Sequence, residues 1–398
     1  MDRLIDKLKH WKNVGDPEAD VVVEAFEGAY GNAALHELPR MIGRWEPGDD
    51  TSGLQPELVA YLRLPYAMPA WVKPDVVRRA QKRYQKELQV GMIVLGVYSL
   101  PIVYLNPEVT VTLMGTGRLM QHTLRRLAET HHFVKLAMAE DALLAPGLSQ
   151  QWMRKVRLTH AVIRRMGQEK RETGARPAAP EREQSANWLH PLIVRQQPRN
   201  ASLADGVALD QTELTWVLLT FSWVIVDGLG KLGYGLNTSE QRDHIHLWAL
   251  VGHMIGITDE LLPGGPLVPA SEAQPLFEAL LAKLLKLGDP IDRMRPGALD
   301  GRLLVAALVA VLTEVQRHAV PAVLKPWVQA MPWLDAAVQN MPRMLIRRLC
   351  GPDAANMLHL GRGPMLYWLI NLLALKVLDL RNWTRHVPPD LLKEWFGE

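Results

Sequence analysis

The sequence has one cysteine in 398 residues, Cys350. A single thiol excludes a disulfide framework and any metal site built from cysteines alone, and it suits a reducing, intracellular setting. An excess of one charge is also missing. Lys and Arg total 45 against 42 Asp and Glu, and a formal charge of +3 is too mild to argue for nucleic acid. No uninterrupted apolar run reaches the roughly 20 residues of a spanning helix. The longest, LLVAALVAVL (303–312) and PMLYWLINLLALKVL (364–378), read as core helices. The start, MDRLIDKLKHWKNVGDPEAD, has no apolar signal region, twin arginine or small-residue cleavage site. No transmembrane segment and a cytoplasmic location are therefore expected. Catalytic signatures are absent too: no phosphate-binding loop, no G-x-S-x-G elbow, no H-E-x-x-H pair and no dinucleotide fingerprint after a strand.

What remains is an ordinary globular composition, 48% hydrophobic and 22% charged, arranged with helical periodicity. Residues 75–100, 117–144 and 151–167 recur at three-and-four spacing. Asp210 with Glu213 makes a capping box for a helix closed by Gly228, Gly230 and Gly233, and Thr238 with Gln241 caps the next. Further helices are predicted at 272–287, 298–317, 320–330, 334–349, 364–380 and 389–396. The stretch VTVTLMG (109–115) alternates like a strand, but an isolated strand is marginal. The expected fold is all-α, one large helical domain over 1–398. The charged, proline-containing segment 167–186 cannot bury enough apolar surface to order itself and reads as an exposed inserted loop.

The chemistry must then lie in histidines and charges on helices. In VRLTHAVIRRM (156–166), Arg157, His160 and Arg164 fall on one stripe at about 100° per residue. A solvated basic face is the plainer reading of these residues alone; a metal- or cofactor-binding imidazole flanked by anion-holding arginines is the sharper one. Arg126 and Thr130 share a face one turn apart, suited to bound dioxygen or an oxyanion, or to a surface arginine beside a threonine bonded to its own turn. Glu129 with His132 and Asp243 with His246 are carboxylate-x-x-His pairs of the type that builds carboxylate-bridged di-iron sites. His246 and His253 lie seven apart on one helix, the usual pattern of core histidines.

Taken in order, MGTGRLMQHTLRRLAETHHFV, VRLTHAVIRRM, LDQTELTWVLLTFSWVIVDGLGKLG and RDHIHLWALVGHMIGITDELLP resemble the MpaB-type oxygenases and the latex clearing proteins (rubber oxygenases), over about residues 66–263. The resemblance implies an enzyme with haem b on a globin-like helical core, extra helices at both ends, and dioxygen and a hydrophobic alkene as partners. It implies His160 as the axial iron ligand, Arg157 and Arg164 as cofactor-side arginines, and Arg126 and Thr130 over the haem. Thr220 then lies near the pocket, and His246 and His253 are structural. A lone neutral imidazole suffices to hold haem iron, and arginines suit its propionates.

Three departures matter. Latex clearing proteins carry a lysine before the distal threonine where this chain has Glu129, which leaves the sixth iron position to Glu129, water or nothing. Their catalytic glutamate falls near Thr110, with Glu108 close by. Those proteins are exported, so rubber is a poor candidate and a prenyl, terpenoid or other small alkene a better one. The rival readings are the di-iron oxygenase and a non-catalytic helical protein that binds haem or another apolar ligand. The helix at 364–380 could complete the core or form a homodimer face.

Overall fold

The computed structural model describes residues 2–45, 47–48, 53–115, 123–173, 206–286, 298–319, 325–358 and 360–361. Among them no strand forms, and the all-α expectation is met. The N-terminal third builds α1 (Asp2–His10), α2 (Pro17–Arg44) and α3 (Pro56–Arg63). Pro17 starts α2, and Glu18 and Asp20 face its positive end. Next come α4 (Pro74–Val94), a π-helical turn (Leu95–Ser99), α5 (Leu100–Val103) and α6 (Pro107–Gly115). The stretch that alternates like a strand is thus helix α6. Asn106 caps it by accepting from the amides of Glu108 and Val109, and Thr110 and Thr112 donate back to carbonyls four residues earlier. Local capping outweighs the β-branched alternation.

The site-bearing helices follow as α7 (Thr123–Met138) and α8 (Leu148–Thr173). The helix α8 continues seven residues into the segment expected to be a loop, and 174–186 lies outside the described residues. The predicted helix at 209–233 is two: α9 (Gln211–Phe221) and α10 (Trp223–Leu232), broken at Ser222 and closed by Gly233 in the left-handed conformation. Asp210 caps α9 as expected, while Glu213 reaches back to the Leu209 amide. Asn237, one residue before the predicted cap, forms the capping box with Glu240 on α11 (Thr238–Met254). The remainder is α12 (Ala273–Lys286), α13 (Ala298–Ala319), α14 (Lys325–Ala330), α15 (Pro332–Cys350) and α16 (Pro352–Met357). The helices predicted at 364–380 and 389–396 lie outside the described residues.

The helix α11 runs through the middle: Ile245, Leu247, Trp248, Ala249, Leu250 and Val251 are all buried, so it has no solvent face over this span. Against it lies α4, and α10 comes close to α4 because Gly228 has no Cβ, which would sit 2.3 Å from Val94 Cγ1. Pro74–Val103 and Gln211–Leu232 are long and apolar enough to cross a membrane by length and composition. Of their apolar windows, 67% and 72% is buried inside the fold, which accounts for the apolarity. Interspersed polar residues hide both from a reading based on uninterrupted runs.

Candidate functional site

Two apolar clusters meet at α8. Met153 belongs to the main core, whereas Leu158, Ala161 and Val162 pack into a smaller cluster with α2 and α3. The stripe of Arg157, His160 and Arg164 therefore sits on a wall with hydrophobic packing on both sides. His160 is half-buried and its Nδ1 is shielded from solvent.

Both flanking arginines are answered by the start of α2. Arg157 donates from Nε to Asp16 Oδ2 at 2.5 Å and from Nη2 to Asp16 Oδ1 at 2.7 Å, with Glu18 3.0 Å from Nη1. Burial opposes the charge on Arg157, but the Asp16 hydrogen bonds and charge outweigh it and raise the guanidinium's pKa. Arg164 donates from Nε to Asp20 Oδ1 at 2.7 Å and from Nη1 to the Leu209 carbonyl at 3.3 Å. Arg165 makes a bidentate pair with Glu27, and Arg154 reaches Glu18 at 2.6 Å. The arginines of this stretch are thus paired with carboxylates of α2 rather than forming a solvated face.

The helix α7 packs on α8 and presents Glu129 and Thr130, both half-buried. Arg126 lies on α7, with its side chain outside the described residues. Glu129 shares a face with His132, whose ring is 5.1 Å from Trp152 of α8. Thr130 shares a face with Phe133, which meets Phe221 and Trp248 at 6.4 Å each. An aromatic wall therefore backs the Thr130 side of α7. Thr220 is buried beside Phe221; its hydroxyl donates to the Val217 carbonyl at 2.7 Å and its own carbonyl accepts from Ser99 on the π-helical turn.

The two positions considered for a catalytic base are both engaged elsewhere. Thr110 donates to the Asn106 carbonyl at 2.7 Å within α6. Glu108 accepts from Lys12 at 2.6 Å, in a cluster where Asp210 lies 3.2 Å and Glu213 3.8 Å from the same ammonium. Burial, then the neighbouring Asp210 charge, pushes Glu213 up to about 8, so it is the protonated member at neutral pH.

Of the carboxylate-x-x-His pairs, Asp243 is clamped by Arg79 at 2.9 and 3.2 Å. His246 uses both nitrogens: Nδ1–H donates to the Gly264 carbonyl at 2.7 Å and Nε2 accepts the Lys73 amide at 3.1 Å. His253 pairs with Asp259 at 2.8 Å, and Trp71 stands edge-on to both histidines. The pair at 246 and 253 closes two loops onto α11. Among the described residues no three His, Cys, Asp or Glu side chains converge as a metal-ligand set.

Sequence reasoning passed over Asp16, Asp20 and His244. His244 is 2% exposed, stacked on Tyr84 at 5.5 Å and beside Trp248. Burial lowers it to about 4, against the opposing pull of the Phe221 and Ser222 carbonyls at the α9–α10 break. The unfolded chain takes up this proton near pH 6.5 and the folded chain only near 4. The contribution is complete above pH 6.5 and is lost as pH falls towards 4, amounting to about 3 kcal/mol. Glu213, raised to about 8, works the other way and stabilises the fold as pH falls from 8 towards 4.5, so the His244 contribution is read as the difference in urea midpoints between wild type and His244→Phe from pH 7 to 4. Relative to His244→Phe, the wild type should lose stability as pH falls from 7 to 4, while the contributions of His246, also lowered by burial, and of Glu213 are common to both. A difference that stays the same across this range would contradict a neutral, buried His244.

Comparisons with known proteins bear on the same helices. Residues 83–368 match the family model described as ER-bound oxygenase mpaB/B'/Rubber oxygenase, catalytic domain. A rubber oxygenase of Streptomyces sp. (strain K30) is 20% identical over 317 residues, 78% of this chain and 65% of that protein's length. The latex clearing protein in its closed state superposes with a TM-score of 0.59 at 18% identity, covering 97% of this chain and 90% of the other, which establishes a shared fold. With most of its length matched to that model, the chain belongs to the mpaB and rubber oxygenase catalytic-domain family.

Proposed function

We propose that the protein is a haem b-dependent oxygenase that acts with dioxygen on a hydrophobic, alkene-containing small molecule of the prenyl or terpenoid kind, with oxidative cleavage of a carbon–carbon double bond as one outcome. The observation that carries this is His160: a half-buried imidazole on a helix of the family-matched region, set between two apolar clusters and next to α7. The donor set suits a single-histidine haem site. Bound there, haem would supply the iron centre at which dioxygen is activated.

In this reading His160 offers a neutral nitrogen, and the aromatic wall of Phe133, Phe221 and Trp248 favours an apolar substrate and excludes water. Thr130 and Arg126 orient the oxidant by hydrogen bonding and charge. Glu129, half-buried beside Thr130, completes the polar side of the site in this reading. Arg157 and Arg164 support α8 and do not receive the propionates.

The decisive experiment is the visible spectrum of protein expressed with haem supplementation, followed by oxygen uptake with prenyl and terpenoid alkenes and with polyisoprene. A Soret band with alkene-dependent oxygen consumption is expected. Colourless protein sinks the haem reading. Haem without any oxygen-dependent product leaves a binding protein in its place.

A further inference from the structure

The reading of His160 as the haem-holding residue underlies one more step. We propose that Asp16 and Asp20 are positioning residues of the site: by bonding Arg157 and Arg164 on either side of His160, they fix the rotation of α8 and hence the direction of the imidazole.

The need for such a device follows from the packing. Leu158, Ala161 and Val162 hold α8 through apolar contacts, which are non-directional and set its depth better than its rotation. A functional side chain has to be held within about 0.5 Å and 10–20°. Bidentate arginine–carboxylate pairs are directional. Arg157, bidentate on Asp16, and Arg164, bonded to Asp20 Oδ1 and the Leu209 carbonyl, stand three residues before and four after His160 on the same stripe, so two directional anchors bracket it.

The clamp is built into its surroundings. Asp16 is 3% exposed and Arg157 8%. Gly256 leaves room for the pair: a Cβ there would sit 2.1 Å from Asp16 Oδ2 and 2.8 Å from Arg157 Nε, and its φ of +90° is a glycine conformation. The Asp16 amide in turn donates to Asp20 Oδ2 at 2.9 Å, which links the two anchors. Gln211 ties the adjoining Gly15 and Gly256 carbonyls together at 2.9 and 2.8 Å. The two carboxylates of the clamp come from residues 16 and 20, ahead of the family-matched region 83–368.

The test compares Asp16→Asn with Arg165→Gln. The second variant breaks another ion pair between α2 and α8, Arg165 with Glu27, away from the stripe. In haem-loaded protein, Asp16→Asn should lose haem about tenfold faster and shift the Soret maximum, the size of effect expected when a ligand's support is removed. Arg165→Gln should change the rate less than about twofold, and Asp16→Glu should recover part of the loss. In cofactor-free protein the side-chain ¹⁵N resonances of His160 should move in Asp16→Asn and stay in Arg165→Gln. Haem loss and resonances that follow thermal stability alike in both variants would overturn the proposal. If the wild type takes up no haem, the haem reading fails, while the His160 resonances still decide the clamp.

Discussion

Replacing His160 with alanine should abolish stable haem retention and, with it, oxygenase activity. Haem held from one side has a single protein–iron bond, and the three histidines of α11 are engaged elsewhere. His246 has both nitrogens bonded to backbone, His253 pairs with Asp259, and His244 is sealed between Tyr84 and Trp248. The half-buried position of His160 makes the substitution tolerable for folding, so the thermal midpoint should fall only modestly while the Soret band disappears. His160→Gly supplemented with free imidazole separates ligation from folding, because the added base can refill the vacated position and bring the band back. A Soret band of unchanged position and intensity in His160→Ala would assign the iron to another residue.

Truncating Arg157 to alanine should be among the most damaging single changes for stability, at about 3–5 kcal/mol. Asp16 would be left buried with both of its side-chain hydrogen bonds to Arg157 gone. Removing both partners together, as Asp16→Leu with Arg157→Leu, should cost much less, since no uncompensated charge remains. Urea denaturation of the three variants against wild type provides the measurement. A loss under about 1 kcal/mol for Arg157→Ala would be the behaviour of a solvent-exposed ion pair, and would rule out a desolvated one.

The two results bear on separate properties of one helix stripe. His160→Ala removes what the stripe presents, whereas Arg157→Ala removes what orients it. A protein whose arginines served the cofactor would lose haem without losing much stability on Arg157→Ala. The geometry at Asp16 predicts a large loss of stability from the same substitution.

Helices with strong local signals were legible from the sequence alone. Spacing of apolar positions located α11, α12, α13 and α15 to within a few residues and found α4 and α8 with less exact ends, because amphipathic periodicity is written locally. The cap at Asp210 was legible for the same reason, since side chain and amide are neighbours in the chain. The family was legible through four ordered segments, each weak by itself. The candidate residues His160, Thr130 and Glu129 came from that resemblance together with helical spacing. Composition excluded a disulfide scaffold, an all-cysteine metal site and a nucleic-acid footprint without any structure.

Only the tertiary structure decided what those residues meet. Asp16 and Arg157 are 141 residues apart, and no periodicity links them. The acidic stretch GDPEAD and the basic stretch VRLTHAVIRRM carry complementary charge, yet the chain offers many other acidic partners. The break at Ser222, the burial of His244 and the turning of Glu108 towards Lys12 are likewise set by packing between distant helices. Local propensity and spacing determine which helices form and which faces are apolar. Which charges end up desolvated together depends on contacts across the fold, and that decided that the arginines beside His160 bind α2.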